Sequence, residues 1–330
     1  MILPRFELHQ PASLAEAVEL LARYRHECDL LAGGSDLLPN YKQGLNPKAH
    51  LVSLERVSEL RALSPERIGA MARLADLARD AAIRRQLPVI AETAAQVASP
   101  LVIEQATIGG NLMLDTRCFY FNQSLFWRES KGFCLKADGD VCLVVPQKEV
   151  CYATHSSDLA PVLITLGAEL ELTSAGATRV VPIAEFYRHD GIARNVRRAG
   201  ELLTFVHIPP ASRTLAARYL KLRIRDTFDF PAMGAAVALR LDRGRRLAEL
   251  HIAIGAVDTT PRVFDDLAAS YVGRGLDPAT IAEIADAVTS RIKPYNNVPL
   301  NPAYRKRMVG VYLRRILSEL GREAPVPAAA

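Results

Sequence analysis

The chain has 330 residues, 49% hydrophobic and 23% charged, which suits a globular protein of two or three domains with a sizeable core. Its 41 basic and 36 acidic residues leave a net charge of +5, spread thinly, with no Lys/Arg block interleaved with aromatics, so nucleic acid is excluded as a partner. No stretch nears the roughly 18 apolar residues of a membrane span, and the start lacks a cationic segment followed by an apolar run, so a cytoplasmic chain free of membrane is expected.

In chain order, a short strand is expected over Arg5–His9. Ser13 with Glu16 three residues on has the capping-box pattern of a helix start, and Leu14, Val18 and Leu21 give that helix an apolar face. Asp29–Ala32 reads as a buried strand running into Gly33-Gly34-Ser35-Asp36, and Leu51–Leu54 as another strand, making a β-α-β start. Helices are predicted over Leu74–Asp80 and Ala81–Val97, broken near Pro88, with a turn at Ser99-Pro100. Residues 115–152 have neither helical nor strand period and are aromatic and polar, the character of an insertion in a regular domain. Regular patterning resumes at Leu159–Leu172, where the apolar run Pro161–Gly167 has strand length. Strands over Tyr219–Arg225, Ala232–Leu241 and Leu250–Val257 precede helices over Pro278–Arg291 and Pro302–Leu320, an α+β order. The tail APVPAAA has the composition of a disordered segment.

Four of the five cysteines, Cys118, Cys134, Cys142 and Cys151, fall within 34 residues. A reducing cytoplasm argues against disulfides, and four clustered thiolates suit a soft metal. The spacing Cys-x15-Cys-x7-Cys-x8-Cys is neither a ferredoxin run nor paired C-x2-C, so zinc and an iron–sulfur cluster both stand at this point. Cys28 lies in an apolar run and reads as a small core residue.

Leu31-Ala32-Gly33-Gly34-Ser35-Asp36-Leu37-Leu38 ends a strand in a glycine pair, a turn whose N–H groups suit an anion such as a pyrophosphate. Thr107-Ile108-Gly109-Gly110-Asn111 offers the same chemistry, and neither turn is G-x-G-x-x-G. In His155-Ser156-Ser157-Asp158, the run reads as a helix cap with Asp158 as a possible ligand acceptor, and His155 as polar filler. There is no G-x-S-x-G, H-E-x-x-H or Walker loop.

These motifs, with SDLAPVLITLGAEL (157–170), IAIGAVDTTPRV (252–263) and AYRKRMVGVYLRRIL (303–317), resemble the flavin-binding subunits of the xanthine dehydrogenase and carbon monoxide dehydrogenase family of molybdenum hydroxylases. The resemblance implies an α+β chain. Residues 1–55 and 56–211 would form a two-part FAD-binding region of the vanillyl-alcohol-oxidase-like type, and 212–330 a C-terminal α+β domain. It assigns Leu31 to Leu38, Thr107 to Asn111, Asp158 and Lys221 to FAD, with RDTFDF (225–230) departing from the family's small-residue pattern. The inserted cysteines further resemble the 4-hydroxybenzoyl-CoA reductase branch, whose beta subunits carry a [4Fe–4S] cluster there. That implies electron flow from ferredoxin through cluster and FAD to a small two-[2Fe–2S] subunit and a large molybdopterin subunit, in a dimer of heterotrimers. No catalytic residue would lie on this chain. The competing readings are an ordinary molybdenum-hydroxylase flavin subunit with outward electron flow, and a zinc-stabilised interaction module.

Overall fold

The computed structural model describes residues 2–324. Among the described residues, eleven strands form three sheets. The first is parallel, in the order β1 (Glu7–His9), β3 (His50–Ser53), β2 (Cys28–Leu31). Helix Leu14–Tyr24 covers it and buries Ala17, Val18 and Leu21. Ser13 caps that helix by accepting from the Glu16 N–H at 3.2 Å, and the Glu16 carboxylate accepts from the Ala12 N–H at 2.7 Å, one residue earlier than a strict capping box.

The second sheet is antiparallel, with β4 (Arg67–Gly69), β7 (Leu202–His207), β5 (Glu169–Ser174) and β6 (Ala177–Pro182) in that spatial order. Its core includes the helices Leu74–Arg79, Ala81–Gln86 and Pro88–Ala95. The break falls at Leu87, where Pro88 starts a new helix at its first position. The strand-length apolar run Pro161–Gly167 belongs instead to helix Leu159–Thr165, all seven residues of which are buried. A helix buried all round loses the polar face that would have marked its period.

The third sheet is antiparallel, in the order β11 (Arg262–Val263), β10 (Leu247–Gly255), β9 (Met233–Leu241), β8 (Ala216–Leu222). Strand β9 is buried on both faces. Ala236 and Ala238 turn to the core around helix Leu159–Thr165, and Ala235, Val237 and Leu239 to the core under helices Pro278–Ser290 and Pro302–Glu323. Buried Arg305 pins the last helix, donating to the carbonyls of Ala232 and Tyr295 at 2.8 Å and Ala256 at 2.5 Å. The expected tail falls on residues 325–330, outside the described residues, while Ala324 packs into this core. Among the described residues no helix is long and apolar enough to cross a membrane.

Candidate functional site

A cavity of about 590 Å³ opens between the first two sheets and the segment after β8. Its size is that of a cofactor site. The first glycine turn forms one wall: Ala32, Gly33, Gly34, Ser35, Asp36 and Leu37 line it, whereas Leu31 and Leu38 do not. Those two leucines close on Gly34 from behind, their Cδ1 atoms 3.2 and 3.0 Å from where a Cβ would stand. Gly34 has φ +71°, a conformation that disfavours any side chain. Among the described residues, the amides of Gly33, Gly34, Ser35 and Asp36 have no protein acceptor.

The second turn differs. Ile108 N–H donates to Ala72 O, Gly109 N–H to Ala70 O, Gly110 N–H to Thr107 Oγ1 and Asn111 N–H to Thr107 O. Its amides therefore have acceptors within the protein, unlike those of the first turn. The glycines serve close approach: a Cβ on Gly109 would stand 2.7 Å from Ala70. Thr107, Gly109, Gly110 and Asn111 line the cavity, and Ile108 is core.

Asp158 also lines the cavity, but it makes no capping bond. Ser157 Oγ takes that role, accepting from Ala160 N–H at 3.0 Å. Asp158 instead accepts from Tyr219 OH at 2.8 Å and Lys221 Nζ at 3.0 Å. Burial raises its carboxyl above the ordinary value against the pull of Lys221 and the Tyr219 hydrogen bond. Lys221 does not itself face the cavity; it reaches that wall only through Asp158. His155 is buried with both ring nitrogens unpartnered, and burial pushes its pKa down to about 3.

Several lining residues lay outside the sequence expectations. Arg117 forms an ion pair with Asp36 and lies 4.3 Å over the Phe230 ring. Phe228 and Phe230 of the departing segment line the cavity, as do Asp115, Lys136, Arg194 and Arg197. None of these positions falls in either glycine turn, the sequence feature that marked the site.

The four clustered cysteines are all buried and line one small cavity with Tyr120, Phe121, Leu135, Lys136, Leu143, Val144 and Ala153. Their segment has little regular structure, a helix over Leu125–Ser130 and a 3-10 turn over Leu135–Ala137. Three sulfurs already accept backbone amides: Cys118 from Tyr120 at 3.4 Å, Cys142 from Tyr152 at 3.5 Å and Cys151 from Ala153 at 3.4 Å. A hydrogen bond from Cys151 holds the Cys142 thiol below its ordinary value and raises Cys151 in turn, while burial pushes Cys118 up to about 11. Cys28 lies apart, in the core of the first sheet.

Residues 4–211 match the family described as the FAD binding domain in molybdopterin dehydrogenase, and residues 218–320 match the CO dehydrogenase flavoprotein C-terminal domain. The chain belongs to this family of flavin-binding dehydrogenase subunits. Among its relatives, the carbon monoxide dehydrogenase medium chain of Afipia carboxidovorans is 29% identical, with 96% of each chain covered. The xanthine dehydrogenase FAD-binding subunit of Escherichia coli O157:H7 is 25% identical, with 94% of each chain covered. The solved Cu,Mo-CO dehydrogenase superposes with a TM-score of 0.80 at 26% identity, covering 98% of this chain and 99% of that one. The chain is thus an FAD-binding oxidoreductase subunit of the molybdenum hydroxylase type, and most residues lining the cavity lie in the part that matches the FAD binding domain.

Proposed function

We propose that this chain carries a [4Fe–4S] cluster beside its FAD and passes electrons inward, as the beta subunit of a 4-hydroxybenzoyl-CoA reductase-like complex. The observation that carries the reading is the convergence of Cys118, Cys134, Cys142 and Cys151 on one buried cavity. Thiolates on a zinc ion, with bonds of about 2.3 Å, stand roughly 3.8 Å apart. Among the described residues no three cysteine sulfurs lie within 4.8 Å of one another, so the ligand spacing of a zinc site is not met.

The chain's own residues then have distinct tasks. The free amides of Gly33 to Asp36 donate to the pyrophosphate. Asp158, Thr107 and Asn111 line the same cavity, which this reading takes as the FAD site. The Tyr120, Tyr152 and Ala153 amides stabilise thiolate charge on three of the cluster ligands. Phe121, Leu143 and Val144 keep water from the sulfurs. When bound, the flavin supplies exchange of one or two electrons, which suits a junction between one-electron carriers and a two-electron reaction.

In this reading ferredoxin is the donor. The net reaction on the partner subunits takes 4-hydroxybenzoyl-CoA, two electrons and two protons to benzoyl-CoA and water. A large molybdopterin subunit and a small two-[2Fe–2S] subunit complete a heterotrimer, paired as a dimer, in the cytoplasm. The medium-chain designation of the carbon monoxide dehydrogenase relatives supports membership of a multichain complex. The test is anaerobic reduction of the bound flavin by a reduced low-potential ferredoxin. Wild type is expected to reduce, while Cys142→Ser keeps its FAD and loses that reduction. Unchanged ferredoxin-driven reduction in the variant would contradict the proposal.

A further inference from the structure

Lys136 is the one described residue that lines both the flavin cavity and the cysteine cavity. Its side chain is 5% exposed. The ammonium donates to Asp115 Oδ1 and Thr116 Oγ1, both at 2.7 Å, and to the Thr116 carbonyl at 3.2 Å, and it lies 4.6 Å from the centre of the Phe121 ring. All three ammonium protons and the ring face are thus used to fix one position. Asp115 is shared with Arg194 at 3.3 Å, and the two cations hold its carboxyl below the ordinary value against the effect of burial. The trio of Lys136, Asp115 and Arg194 therefore carries one net positive charge. Asp115 and Arg194 face the flavin cavity alone, and only Lys136 extends to the sulfurs.

We infer that Lys136 is a positioning residue whose fixed charge sets the reduction potentials of both redox groups together, which rests on the cluster reading above. Each reduction adds negative charge at a buried centre, and a buried cation beside both centres favours both reductions. One shared charge keeps the two potentials in step, so that neither centre becomes a trap for the electron. Asp115 and Thr116 immobilise that charge, so it need not reorganise on electron transfer.

The test is redox titration of the purified chain, following the flavin by its visible spectrum and the cluster by EPR. Lys136→Met removes the cation and leaves Asp115 paired with Arg194. Both potentials are expected to fall, the cluster by at least tenfold in its reduction equilibrium, about 59 mV for one electron. Lys136→Arg is expected to restore much of the shift. Asp115→Asn removes the opposing charge and is expected to raise both potentials, so the inference is also read in the opposite sign. A wild-type chain without iron overturns the cluster reading and this inference with it. A cluster-bearing chain whose potentials stay within twofold in Lys136→Met and Asp115→Asn overturns the inference alone. Movement of only one potential, or loss of either cofactor in both variants, would make the residue structural or local and also overturn it.

Discussion

Replacing Gly33 by alanine tests how the flavin cavity is built. Gly33 does not need glycine for its backbone angles, since its φ is not positive. It needs glycine for space: a Cβ there would stand 1.9 Å from the Gln105 carbonyl oxygen and 2.6 Å from its carbon. Both are backbone atoms at the end of helix Pro100–Gln105, and they cannot swing aside as a side-chain tip would. Relief requires the first turn to move away from the second subdomain by about 1.5 Å, at a cost of roughly 1–3 kcal/mol. The same movement separates Ala32 from Gly110, which meet at the cavity wall, 3.9 Å between the Ala32 methyl and the Gly110 Cβ position. Gly33→Ala is therefore expected to weaken FAD binding about 10- to 100-fold, or 1.4–2.8 kcal/mol, read by flavin fluorescence titration. It should also melt lower in the flavin-free form. Gly132→Ala is the control: its φ of +73° is strained, but nothing lies within 4 Å of the new methyl, so FAD affinity should hold. Gly33→Ala protein with wild-type melting and FAD affinity within twofold would refute the steric reasoning.

Two further outcomes follow from buried charge. Lys221→Met leaves the Asp158 carboxylate with Tyr219 alone, in a site where the two charged side chains are 1% and 3% exposed. A loss of about 3–5 kcal/mol in urea unfolding is expected, largest at high pH because Asp158 takes up a proton and loses its charge as pH falls. Adding Asp158→Asn should recover part of that loss, and a double variant no more stable than Lys221→Met would count against the pairing. His155 is held neutral, with its pKa lowered from 6.5 to about 3, so protons bind the unfolded chain first. Its stability contribution is intact above about pH 6.5 and is lost as pH falls toward 3, at about 1.4 kcal/mol per pH unit. His155→Leu should flatten the acid limb by one proton, and an unchanged slope in unfolding at pH 6.5, 5.5 and 4.5 would show that His155 is not the group responsible.

The elements with a one-sided pattern were readable from sequence. Ser13 and Glu16 marked a helix start that the structure caps at both groups, and Pro88 marked a break that occurs at Leu87. Elements buried on all sides were not: helix Leu159–Thr165 has no polar face to reveal its period, and β7, buried at five of its six positions, gave no alternation. The glycine pairs were visible, but their different duties were not. Which amides are free depends on Ala70 and Ala72, far from Gly109 in sequence and bonded to it and Ile108 only in the fold. Asp158 read locally as a cap because its partners, Tyr219 and Lys221, lie more than sixty residues away. The cysteines gave their density but not their geometry, since the insertion has almost no regular structure to supply a spacing rule. Lys136 could not be singled out at all: its position between two cavities exists only once the insertion folds against the flavin site.

If the four cysteines hold an iron–sulfur cube next to the flavin, iron, acid-labile sulfide, zinc and FAD measured in the chain purified without oxygen should show it. Roughly four iron and four sulfide per FAD are expected, with zinc well below one. One zinc per chain, or neither metal in a chain that retains its FAD, would contradict this reading.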